Sequence, residues 1–163
     1  MLIISIFMSG INKLQVMKKG LIIFVLFGLL SCKKDKVEFQ PVQLNFTEIA
    51  KGALYGVGAE NISESVQVIN DDQVWLSLVN KMDSYNSVSP GFNELNVDFN
   101  SYTVIALFLD VKPNGWEVEI QTATENELKI ELIINEIQYI TQDVTQPYHL
   151  IKVPKTNKPA VIN

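Results

Sequence analysis

Tyr102-Thr103-Val104-Ile105-Ala106-Leu107-Phe108-Leu109 is the stretch on which the fold turns. It is β-branched, aromatic and almost continuously apolar, with no alternation to leave one face in water. Such a run reads as a central strand covered on both faces. Soon after it comes Lys112-Pro113-Asn114-Gly115, which has turn chemistry: proline fixes φ, and Asn-Gly accepts the positive φ of a tight reversal. Beyond the turn the pattern changes. Trp116, Val118 and Ile120 alternate with Glu117, Glu119 and Gln121, so the next strand buries one face and wets the other. Glu125-Asn126-Glu127 reverses the chain again, and Leu128, Ile130, Leu132 and Ile134 repeat the alternation. Consecutive strands joined by tight turns make an antiparallel sheet.

Working outward, Val144-Thr145 and Tyr148 to Val153 read as the last strand. It is interrupted at Pro147, which cannot donate to a ladder and favours an edge or a bulge. The segment from Asn135 to Gln142 has no clear period. Upstream, Phe46 to Ile49 alternates as a half-buried strand and runs into glycines 52, 56 and 58, which signal turns or a close backbone approach. No Lys-Ser/Thr follows these glycines, so they do not form a phosphate cradle. Ser65 to Ile69 is a further short strand. Asn70 or Asp71 then fits an N-cap, and Val74, Trp75, Leu78, Val79 and Met82 share one face of a helix. Ser84 to Asn96 is loop. The expectation is one α+β domain of mainly antiparallel sheet, open to a sandwich arrangement, with one amphipathic helix. Its span is residues 45–155, with a polar tail at 156–163.

The N-terminal residues carry a different message. Met17-Lys18-Lys19 followed by the apolar run Leu21 to Leu30 has the proportions of a secretory signal. The run is too short for a permanent membrane span, which needs about 20 apolar residues. Leu29-Leu30-Ser31-Cys32 then places a branched apolar residue, a small residue and the single cysteine in order, and this resembles the lipobox of bacterial lipoproteins. The resemblance implies a signal at 1–31 with its true start at Met17, acylation of Cys32, and a lipidated linker at 32–44. It places the protein in the cell envelope, at an outer membrane or cell surface rather than an inner membrane. Lys33-Lys34-Asp35-Lys36 reads as solvated tether or, alternatively, as a surface-sorting signal.

Charge and chemistry narrow the function. Ten of the thirteen basic residues but all eighteen acidic ones follow Cys32, an excess of eight negative charges. Every basic residue is lysine. Phosphate and base-edge recognition leans on arginine's planar fork, and an acidic surface repels a phosphate backbone, so nucleic acid is excluded as a partner. His149 is the sole histidine and shares the strand face of Ile151 and Val153, which predicts a packed, hydrogen-bonded ring. No carboxylates flank it at metal-ligand spacing, and no Gly-x-Ser-x-Gly elbow occurs. Glu117 and Glu119 read as solvated acids on the wet face of a strand. The expectation is a protein with no catalytic residue, no metal and no cofactor.

Three stretches together resemble the C-terminal domain family of the protease-complex subunit PrcB. They are Ala50 to Glu60, Asp98 to Phe108 and Val144 to Lys155, and they cover most of the domain. The resemblance implies non-enzymatic support of an extracytoplasmic protease complex. The family carries a Gly-Gly-aromatic turn; here Gly115 is kept and Trp116 stands where the second glycine is expected. Pro113-Asn114-Gly115-Trp116 and Gln146-Pro147-Tyr148 are also distantly similar to the contact loops of chagasin-type protease inhibitors, without their threonines or arginine. A small-molecule or glycan-binding surface lipoprotein is the third reading. In each case the expected contacts are Tyr55 and Glu60 in the glycine-rich stretch, Pro113, Asn114, Gly115 and Trp116 on the turn, and Gln146, Pro147 and Tyr148. Loop ends carrying aromatics and prolines are where binding residues collect.

Overall fold

The computed structural model describes residues 38–163. The signal segment, Cys32 and the start of the tether lie outside the described residues. Nine strands form two sheets, with one α-helix among the described residues. In chain order they are β1 (Val42–Gln43), β2 (Thr47–Leu54), β3 (Ser65–Ile69), α1 (Asp72–Met82), β4 (Tyr102–Phe108), β5 (Lys112–Pro113), β6 (Trp116–Glu125), β7 (Ile130–Gln138), β8 (Val144–Pro154) and β9 (Ala160–Ile162). One sheet has the order β2-β8-β4-β3, with β5 added to the start of β8; the other has the order β1-β6-β7-β9. All pairings are antiparallel except β7 with β9.

The reading of β4 is realised from Thr103 onward, while Tyr102 at its start is exposed. Val104, Ala106 and Phe108 join one buried cluster with Trp75, Leu78, Val79 and Met82 of α1. Ile105, Leu107 and Leu109 join a second cluster with Val118, Ile120, Ala123, Ile130 and Leu132 of the other sheet. The sheet containing β4 is therefore the middle layer, covered by α1 and its flanking loops on one side and by the second sheet on the other. Asp71 caps α1: its side chain accepts from Val74 N–H at 2.9 Å, satisfying one orphan donor of the first turn. Within the expected helix face, Val74 is the exception and is half exposed. The long loop after α1 is pinned at two points. Asp83 accepts from Val88 N–H, Ser89 N–H and Ser89 Oγ, and the buried Trp75 indole donates to Leu95 O at 2.8 Å.

Several expectations are corrected. The Asn114-Gly115 reversal is present, with φ of 69° and 59°. However, it does not close a hairpin, because β5 pairs with β8 and β6 with β7, so the turn carries the chain from one sheet to the other. Leu128 lies in the reversal before β7 and is 77% exposed, so the alternation starts only at Ile130. The strand β8 runs unbroken through Pro147 in the interior of its sheet. A residue's N and C=O face the same neighbour in an antiparallel ladder. The donor that Pro147 lacks therefore falls beside Leu109, just past the end of β4, where Pro147 O still accepts from Leu109 N–H at 3.0 Å. Finally, the domain is wider than 45–155. The linker residues Val42–Gln43 pair with β6, and Ala160–Ile162 of the polar tail pairs with β7, so the compact unit is Phe39–Asn163.

Candidate functional site

At one end of the domain the two sheets part to leave a cleft of about 230 Å³. Gly52, Ala53 and Thr145 line it from β2 and β8, Trp116 and Glu117 from the start of β6, and Tyr139, Thr141 and Asp143 from the connection after β7. Tyr55 closes it from the loop that follows β2. Backbone bonds tie the walls together. Gly115 N–H donates to Asp143 O at 3.2 Å, and Tyr139 N–H donates to Gly115 O at 2.9 Å. Gly115 itself leaves no room for a side chain, because a Cβ there would lie 2.4 Å from Thr141 Oγ1.

The aromatic walls are held rather than loose. The Trp116 indole N–H donates to Pro113 O at 2.9 Å, and the Lys112 ammonium sits 4.5 Å from its ring centroid, within cation–π reach. Lys112 in turn pairs with Glu136. The Tyr139 hydroxyl donates to Glu117 Oε2 at 2.7 Å. That bond holds the Glu117 carboxyl below the usual carboxylate range and raises the Tyr139 phenol above its own. Lys51 bridges the two acids of β6, at 3.2 Å from Glu117 and 3.1 Å from Glu119, and its bond to Glu119 leads in raising its pKa. Glu117 and Glu119, expected as solvated acids, are both tied to Lys51, and Glu117 continues to Tyr139. On the floor, Thr145 is 3% exposed and its hydroxyl has no hydrogen-bond partner.

Of the residues expected to make contacts, Tyr55, Gly115 and Trp116 line this cleft, and Pro113 and Asn114 are exposed on the adjoining turn. The other four belong to the interior. Glu60 is buried with Oε1 accepting from Gly56 N–H at 2.8 Å, so it braces its own loop. Gln146 is 1% exposed, and its amide N–H groups donate to Ile62 O at 2.8 Å and Leu109 O at 2.9 Å. Pro147 is inside β8, as described above. Tyr148 packs against Phe92 and Phe108, and burial pushes its phenol up to about 12. The expectation of a loop end at Gln146, Pro147 and Tyr148 rests on proline interrupting the strand, and that of Glu60 on the glycines before it. Once β8 is continuous, its even-numbered residues face the helix-side core.

The sequence reading missed Tyr139, Thr141, Asp143 and Thr145. A signal was present in the aperiodic segment 135–142: Tyr139 and Ile140 are consecutive apolar residues outside any alternation, and both are exposed, Ile140 completely. Tyr55, Val57 and Val144 add to the exposed apolar surface of the loops and strand end around the cleft.

His149 is packed as expected. The ring is 1% exposed; Nδ1 accepts from Ile120 N–H at 2.7 Å and Nε2 lies 3.2 Å from Glu48 Oε2. An acceptor at Nδ1 places the proton on Nε2, which donates to the carboxylate. Burial lowers the histidine pKa against the opposing pull of Glu48. A neutral ring with both nitrogens engaged is a structural seam between sheets. Among the described residues, no group of three or more His, Cys, Asp or Glu side chains is placed to hold a metal ion, and no helix is long and apolar enough to cross a membrane. No protein-family model matches the chain, and neither the curated proteins nor the solved structures contain a match to it.

Proposed function

We propose that this chain is a lipid-anchored protein of the bacterial cell envelope that works by docking, as a non-enzymatic stabilising or interaction subunit of a secreted or surface protein complex. The observation that carries this reading is the cleft end of the domain. There Tyr55 and Tyr139 line a walled depression while half exposed, and Val57, Ile140 and Val144, within two residues of lining residues in the chain, are exposed as well. Clustered apolar exposure of this kind marks interaction sites, whereas single exposed residues need no explanation. The patch sits on the connections at the ends of β2 and β7 and on the first residue of β8, where binding residues tend to collect. A protease complex is the partner class suggested by the PrcB-like resemblance.

The inhibitor reading is less well supported. It needs two projecting loops, and Gln146-Pro147-Tyr148 is an interior strand. Anchoring is tested by detergent-phase partitioning of the full chain and of Cys32→Ala. The wild type is expected in the detergent phase and the variant in the aqueous phase, since two or more acyl chains hold stably where one binds marginally. A wild type that partitions into the aqueous phase refutes the anchor.

A further inference from the structure

The chemistry of the cleft specifies what kind of group a partner inserts. Its walls are aromatic (Tyr55, Trp116 and Tyr139), and its charged lining groups are the carboxylates of Glu117 and Asp143. Lys51 is shared between Glu117 and Glu119, so one ammonium faces two acids and the wall stays negative. Asp143 makes no ion pair among the described residues. One cation already sits over the Trp116 ring, that of Lys112. Beneath the cleft Thr145 is 3% exposed, and its hydroxyl is closed off from solvent without a hydrogen-bond partner.

We propose that the cleft receives an arginine side chain of the docking partner; this rests on the docking function proposed above. A guanidinium is planar and weakly hydrated, stacks on aromatic faces, and offers five donors in a fork that suits a carboxylate. Asp143 and Glu117 supply the carboxylates, and Tyr55, Trp116 and Tyr139 supply the faces. An ammonium would use the charge but leave the flat walls unfilled. The chain contains no arginine of its own, so the group must come from another molecule.

The test is a titration of the full chain in detergent micelles with N-acetyl-arginine amide, followed through the indole N–H resonances. Trp116 reports the cleft, and the buried Trp75 is the internal control. The expected result is a saturable shift of Trp116 alone. The neutral isostere N-acetyl-citrulline amide and the Asp143→Asn variant should each weaken it about tenfold, the scale of one charge-assisted hydrogen bond. Equal binding of the citrulline compound overturns the proposal. So does a Trp116 shift with N-acetylglucosamine and none with arginine, which would make this a saccharide site. If arginine fails while an envelope partner is still captured through Trp116, the arginine proposal is wrong and the docking reading stands. If arginine binds and no partner is ever captured, the site stands and the docking reading falls.

Discussion

Replacing His149 separates two forces that the seam between the sheets combines. Its Nδ1 is the acceptor for Ile120 N–H, on a strand whose register with β7 shifts between Ile120 and Thr122. In His149→Leu the volume stays filled, but that N–H is orphaned in the interior, at a cost of about 1–3 kcal/mol. In His149→Asn the Oδ1 stands where Nδ1 stood and can keep the bond, so the loss should be the smaller of the two. The second force is protonation. Burial lowers the folded-state pKa below the ordinary 6.5, and Glu48, whose side chain is 42% exposed, is too well screened to reverse this. The unfolded chain therefore takes up a proton first as pH falls. Stability is fully present above about 6.5 and lost below it, by at most ~1.4 kcal/mol per pH unit, until the folded ring also protonates. Carboxylates do not confuse this window. Asp83 and Glu117 have lowered pKa values, so their stabilisation is lost only as pH falls through values below their ordinary 3.8 and 4.5. Urea unfolding at pH 7.5, 6.5 and 5.5 measures both effects. The wild type should lose stability between 6.5 and 5.5, and both variants should be flat there. A wild type that gains stability over that interval would mean that Glu48 wins and the ring is charged, and the argument would fail. His149→Leu as stable as His149→Asn at pH 7.5 would refute the role given to Ile120 N–H.

Two further substitutions, one of them with a control, test local contacts. Gly56→Ala places a Cβ 2.4 Å from the Glu60 carboxylate, displacing it from Gly56 N–H; a loss of about 1–3 kcal/mol in urea unfolding and faster amide exchange across residues 55–62 are expected. Asp71→Ala removes the cap of α1 and should cost about 1 kcal/mol, whereas Asn70→Ala, outside the cap, should not weaken the Val74 amide.

What could be read from the sequence follows from how local the causes are. The two buried faces of β4, the wet face of β6 and the cap and core face of α1 are set by periodicity within one element, and the structure keeps them. Pairing partners are set by distant segments. Nothing within Lys112–Gly115 says that its two arms enter different sheets, and nothing within Ala160–Ile162 says that its backbone groups are completed by β7. The candidate site divides the same way. Tyr55, Gly115 and Trp116 stood out as aromatics and glycines on turns. Thr145 and Asp143 enter the cleft only because β8 continues straight through Pro147, which local propensity argues against. Glu60 and Gln146 looked like polar contacts, yet Glu60 is held by Gly56 N–H, and Gln146 by Ile62 O and Leu109 O.

Affinity capture from the native envelope shows whether the cleft end docks a partner. The full chain is compared with a Tyr55→Ala/Trp116→Ala double variant whose urea unfolding confirms that it remains folded. One specific partner is expected with the wild type and is expected to be lost from the double variant. Capture that is undiminished in the variant, or no specific partner with the wild type, would contradict it.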